Sequence, residues 1–318
     1  MKKKVMVLIS ILAVAMLSIT SISSAQAKIT EINPGIGFTE YYGSIGAANF
    51  YVLIPDNWTN AMGDEGMLVI LCRGVGYAED PRDYMGGAQY AGAIGLAQAG
   101  IAAAATSYGS KGFDPKFGVI RTHQLTEFVI DNYGVTGKVF LWGGSLGGSV
   151  ALVLGENYPD VYSGVLDVIG VKDWAMEYNH LVTLSQSSDP FLANFGMGML
   201  GMADNYGGTP SERPKKYAKY SATSYTDLAI PVISVVHLND QIVPYEQTTY
   251  YHSLVGDTWH VVATINVDTP GPSPWGPSWY GHLDPLVNEA ALIYFGYLAA
   301  WSNGMISPSL IPTTYPFL

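Results

Sequence analysis

Ser145, Asp240 and His282 are of the types that carry out acyl transfer, and each stands where a strand or loop would present it at one edge of a sheet. The apolar run Val139-Phe140-Leu141-Trp142 leads through Gly143 and Gly144 into Ser145, and Leu146-Gly147-Gly148 opens a second apolar run from Val150 to Leu154. A serine with glycine two residues away on either side, between a strand and a helix, has the form of a nucleophile elbow. Such a turn is tight enough to strain the serine backbone and holds the hydroxyl where a substrate can meet it. With 36 glycines in the chain the spacing alone discriminates poorly, and the flanking strand and helix supply the specificity.

A serine hydroxyl is a weak nucleophile at neutral pH, so it needs a base within hydrogen-bond reach and a third group to orient that base. Of six histidines, His282 lies in Tyr280-Gly281-His282-Leu283-Asp284-Pro285, a loop before the last helix and at the carboxyl end of the sheet. His123 and His252 fall within helices, His237 and His260 within strands, and His180 within an insertion, where packed or surface roles suit them better. The orienting acid should also follow a strand, and Val235-Val236-His237-Leu238-Asn239-Asp240 supplies Asp240 there. Asp173, just past an earlier strand, is a rival, and Asp284 fits a helix cap. Charge developing on a carbonyl oxygen calls for two backbone donors, one on Leu146 after the serine and one in the loop Arg73-Gly74-Val75-Gly76-Tyr77.

The order Ser145, Asp240, His282, the elbow, and the Asp-x-x-Val-Pro context made by Asp240, Val243 and Pro244 resemble the α/β-hydrolases over about Phe50 to Trp301. The resemblance implies Ser145 as nucleophile, His282 as acid and base, and Asp240 as its orienter. Members commonly carry His-Gly in the loop where this chain has Arg73-Gly74, so the second oxyanion donor is assigned to Val75, with Gly74 and Gly76 as neighbours. Arg73 is expected to pair with a carboxylate such as Asp83, with substrate binding as the alternative.

The elements that must position these groups are legible in outline. Strand-like runs at Gly37–Ile45, Phe50–Ile54, Met67–Cys72 and Ile101–Ser107 precede the elbow; Tyr162–Val171, Pro231–Leu238 and His260–Val267 follow it. Helical patterns at Tyr90–Ala99, Val119–Tyr133, Tyr245–Leu254 and Leu286–Trp301 alternate with them. This rhythm predicts an α/β fold with a mostly parallel central sheet flanked by helices. It breaks over residues 172–229, read as an inserted cap in a core formed by residues 28–171 and 230–318, while Ser307–Leu318 reads as a surface tail. Met197, Met199, Met202, Phe191 and Phe195 make the insertion apolar and adaptable, suited equally to a lid over the elbow or to docking on the sheet. Tyr77, Met199 and Trp279 are the candidate substrate contacts.

Lys2, Lys3 and Lys4, the uncharged stretch Val5–Thr20 and the small residues Ala25 and Ala27 predict a cleaved export signal over residues 1–27, and hence a secreted or extracytoplasmic protein that meets a membrane only in transit. Its removal takes away three lysines and no acid, shifting the net charge from −11 to −14, which excludes nucleic acid as a partner. Cys72, the one cysteine, can form no internal disulfide and is expected to pack in the core. No cluster at metal-ligand spacing and no phosphate-loop lysine occur, so neither a metal nor an organic cofactor is expected. The sequence therefore points to an exported serine hydrolase of small or polymer-linked carboxylic esters. A serine peptidase on the same fold and a non-catalytic secreted binding protein are the alternatives.

Overall fold

The computed structural model describes residues 27–58, 66–75, 79–83, 88–109, 114–135, 137–267, 281–282 and 284–315. Residues 1–26, Tyr77 and the aromatic loop holding Trp279 lie outside the described residues. Among the described residues, ten strands form one sheet in the order β1-β2-β3-β5-β4-β6-β7-β8-β9-β10. The strands are β1 (Ala27–Pro34), β2 (Phe38–Ile45), β3 (Ala48–Pro55), β4 (Leu68–Cys72), β5 (Ala102–Thr106), β6 (Val139–Gly144), β7 (Gly164–Val168), β8 (Val232–His237), β9 (His260–Ile265) and β10 (Thr314–Tyr315). The first four in spatial order pair antiparallel and the rest pair parallel.

Strands β4, β5, β7 and β8 are buried at every position because both faces are covered. In β4, Leu68, Ile70 and Cys72 join one core and Val69 and Leu71 the other, as the two-residue period of a strand requires. Helix α1 (Ala88–Gln98) packs on the second face; α2 (Pro115–Tyr133) and α3 (Leu146–Asn157) pack on the first. The chain steps outward from β4 to β5, then returns past β4 to β6 and continues to β7. Right-handed crossovers taken in opposite directions must place their helices on opposite faces. The reversal opens a crevice beyond the carboxyl ends of β4 and β6, the usual ligand position in such sheets.

Between β7 and β8 the chain forms α4 (Trp174–Leu184), α5 (Pro190–Met199), α6 (Met202–Tyr206) and α7 (Pro214–Lys219). Trp174, Leu181, Tyr206 and Tyr217 of this excursion are buried in the first core. Helix α8 (Tyr245–Val255) links β8 to β9, and α9 (Pro285–Ser302) packs on the second face. Helices α2, α5 and α9 start alike: Asp114, Asp189 and Asp284 accept N–H bonds of the first turn, and a proline whose missing N–H costs nothing follows each.

Two edge elements depart from expectation. Ser307–Leu318 is not simply a surface tail: β10 pairs with β9, and Ile311 and Tyr315 are buried. Strand β1, which has no apolar alternation, is recruited by backbone pairing with β2 and keeps Ile29 and Ile32 exposed. Among the described residues, no helix is long and apolar enough to cross a membrane.

Candidate active site

The elbow is built from backbone constraints. Ser145 has φ 56° and ψ −123°, a conformation a side chain rarely tolerates. It is held there by its N–H on the Val168 carbonyl at 3.0 Å and by its own carbonyl, which accepts from Gly148 at 3.0 Å and Val171 at 3.2 Å. Strand β6 and helix α3 meet so closely that a Cβ on Gly143 would overlap the Gly147 carbonyl, and one on Gly147 would overlap the Cys72 carbonyl. Both are backbone atoms of packed elements and cannot move aside.

His282 and Asp240 converge on this hydroxyl. His282 Nε2 lies 3.0 Å from Ser145 Oγ, and its Nδ1 lies 2.8 Å from Asp240 Oδ2. Asp240 Oδ1 accepts the backbone N–H of Ile242 at 2.8 Å and Val243 at 3.0 Å, so both oxygens have defined partners. Gly281, at φ +85°, lets the histidine loop lie against the chain at Asp240; a Cβ there would sit 2.6 Å from the Asp240 nitrogen. With the acceptor Asp240 on Nδ1, the ring carries its proton there and leaves the Nε2 lone pair for the serine O–H.

A pocket opens on Ser145. Leu146 and Val75 border it beside the hydroxyl, and Trp174, Leu181, Phe195 and Met199 from α4 and α5 form its apolar wall. Among the described residues of the lining the one ionisable group is Glu177, which is 3% exposed. Burial pushes its carboxyl up to about 8; the Gln247 hydrogen bond opposes this and Asp240 adds to it.

A family model for esterases matches residues 97–199, from the end of α1 to the end of α5 with Ser145 inside. No curated protein matches the sequence. Among solved structures, an acetyl xylan esterase from a Paenibacillus species superposes with TM-score 0.58 at 16% identity, over 85% of this chain and 87% of that one. Acetyl xylan esterase 1 from a Thermoanaerobacterium species does so with TM-score 0.57 at 14% identity, over 87% of each. A puromycin-hydrolysing peptidase of Mycobacterium tuberculosis, TM-score 0.54 at 16% identity, is matched over 88% of this chain but only 41% of its own length. This chain has the α/β-hydrolase fold. The stretch matched by the esterase model includes the elbow and Ser145.

The other residues singled out in the sequence take structural positions. Asp173 caps α4, accepting from Ala175 and Met176 through Oδ1 and from Thr223 Oγ1 at 2.7 Å through Oδ2. Asp284 caps α9. His123 stacks on Tyr158 with ring centres 3.8 Å apart, and His260 is buried beside Ser234. Arg73 does not take the expected Asp83 as its partner. Asp83 is exposed, whereas the Arg73 guanidinium is buried, donates to the Ser107 carbonyl through Nε at 2.9 Å and Nη2 at 2.6 Å, and lies over the Tyr108 ring. Cys72 is a free, buried thiol whose pKa burial raises.

Sequence reasoning missed two polar groups behind the site. Glu177 accepts from Gln247 of α8, and Lys172 is enclosed with Asp167 and Ser234 under the elbow. A carboxyl on the apolar face of Trp174-Ala175-Met176-Glu177 was the available signal for the first; nothing local marks the second.

Proposed function

We propose that this α/β-hydrolase is an exported serine hydrolase that cleaves carboxylic esters through an acyl-enzyme. Ser145 Oγ attacks the acyl carbon while its proton passes to His282 Nε2, and Asp240 holds the imidazole and steadies the imidazolium. The oxyanion faces the N–H groups of Leu146 and Val75. The carbon–oxygen bond to the alcohol then breaks, the alkoxide takes the proton from His282, and a water repeats the sequence to free the acid. The observation that carries this reading is the continuous chain Ser145 Oγ, His282, Asp240 at 3.0 and 2.8 Å beneath a strained elbow. Residues 172–229 serve as the cap that roofs the acyl pocket, and Met199 touches substrate from that roof; Tyr77 and Trp279, outside the described residues, are the further candidate substrate contacts. Export is supported by Lys2–Lys4 followed by the uncharged stretch Val5–Thr20.

Esters and anilides of the same acids separate esterase from peptidase action, since both use this machinery. The mature chain is expected to hydrolyse p-nitrophenyl acetate or butyrate faster than the matching anilides and to take a fluorophosphonate label that Ser145→Ala abolishes. Labelling that persists in Ser145→Ala would remove Ser145 from its role.

A further inference from the structure

Glu177 stands outside the three-residue chain, yet it is buried in the wall of the pocket that opens on Ser145. Gln247 decides which of its two oxygens accepts a hydrogen bond. The Gln247 Oε1 accepts the backbone N–H of Lys172 and of Asp173, each at 3.1 Å, and an atom facing two N–H donors must be the amide oxygen. Nε2 is therefore the atom that donates to Glu177 Oε2 at 2.7 Å. Glu177 Oε2 is committed as an acceptor, while Oε1 makes no hydrogen bond with the described residues.

The surroundings keep this carboxyl neutral. Helix α5 carries no ionisable side chain, α8 presents the uncharged Gln247, and the turn after β8 presents the acidic Asp240. Lys172, before α4, is held by Asp167 and by the Gly170 carbonyl. With a pKa of about 8 the group keeps its proton at neutral pH, and Oε1 is the oxygen left to carry it.

We infer that Glu177 is a specificity residue: its Oε1–H donates to an oxygen borne a few atoms from the reacting carbonyl on the acyl group, so esters of short oxygen-bearing acids are preferred over plain alkanoates. The inference rests on Ser145 being the group acylated, as proposed above. An all-hydrocarbon acyl chain would strip water from this donor and return nothing, whereas an ether, keto or hydroxyl oxygen would pair with it.

The test compares kcat/KM for p-nitrophenyl 4-oxopentanoate with the near-isosteric 4-methylpentanoate, and methoxyacetate with butyrate, each ratio divided by that for hydroxide hydrolysis. Wild type should favour the oxygen-bearing member, and this preference should fade as pH rises through about 8. Glu177→Gln should keep the preference and lose its pH dependence, because an amide can accept from Gln247 and present N–H to the pocket. Glu177→Met should lower the ratio about tenfold, the worth of one hydrogen bond. Taking the ratio within each variant cancels any loss of folded protein, and if Glu177→Met does not fold, Glu177→Gln and the wild-type pH profile decide.

An unchanged ratio in Glu177→Met overturns the inference. So does loss of the preference in Glu177→Gln together with wild-type preference for aminoacyl esters, which would mean an ionised carboxylate reading an ammonium. Ester hydrolysis that depends on Ser145 but shows equal ratios throughout removes the specificity role alone. Absence of any Ser145-dependent hydrolysis removes both readings.

Discussion

Replacing Asp240 by asparagine tests the site most sharply, because the structure dictates which way the new amide must face. Asp240 Oδ1 receives two backbone N–H bonds, from Ile242 and Val243, so the amide oxygen must occupy that position; the reverse orientation would set an NH₂ against two donors. The NH₂ group then takes the place of Oδ2, 2.8 Å from His282 Nδ1. Two donors cannot share that contact, so the imidazole moves its proton to Nε2 and presents N–H, not a lone pair, to Ser145 Oγ. The serine loses its base while the backbone bonds that shape the turn survive. The expected loss in kcat is about 10⁴-fold, or roughly 5.5 kcal/mol of transition-state stabilisation, by analogy with serine triads in general. Steady-state hydrolysis of p-nitrophenyl butyrate at pH 7.5 reads the loss, and circular dichroism with a thermal melt reads the fold. Asp173→Asn serves as the control, since that carboxylate caps α4 and should leave turnover within a few-fold of wild type. A folded Asp240→Asn variant within tenfold of wild type would refute the reasoning, and a collapse in Asp173→Asn instead would move the orienting role to that residue.

Two further outcomes follow from the packing and the ionisation. Gly147→Ala should abolish activity and lower the melting temperature or the soluble yield, since its Cβ would overlap the Cys72 carbonyl and close 2.6 Å from that of Arg73, at a cost on the order of 1–3 kcal/mol or more; a melt equal to wild type would contradict the close approach at the elbow. Glu177 has a folded pKa above its unfolded value of 4.5, so between pH 4.5 and about 8 the folded chain binds the extra proton and stability falls as pH rises, at up to about 1.4 kcal/mol per pH unit. Melting curves of Glu177→Gln should therefore match wild type near pH 4 and exceed it increasingly toward pH 8, and a pH-independent difference would count against a buried neutral acid.

Local chemistry accounts for what was legible beforehand. The elbow could be read because an apolar strand, a glycine-flanked serine and an apolar helix are contiguous, and each follows from short-range sterics and periodicity. The turn after β8 and the loop before α9 were legible for the same reason, as was the buried Cys72. What escaped has a non-local cause. Strand β1 is polar enough to read as loop and exists because β2 offers it a backbone ladder, and β10 is two residues long and is held by β9. Arg73 sits in a loop that reads as exposed, yet the fold brings the Ser107 carbonyl and Tyr108 ring to it.

By itself the sequence determined that this chain alternates strands and helices, that a strained serine turn lies near its middle, and that an acid and a histidine follow strands in the right order. Only the tertiary structure decided that Ser145 meets His282 across 137 residues, that His282 meets Asp240 rather than Asp173, and that Gln247 reaches Glu177 from 70 residues away. Backbone sterics and side-chain periodicity act over a few residues and are written in sequence. Hydrogen-bond partnership, burial and the proton affinity they set depend on which surfaces come together when the sheet and its helices close on one another.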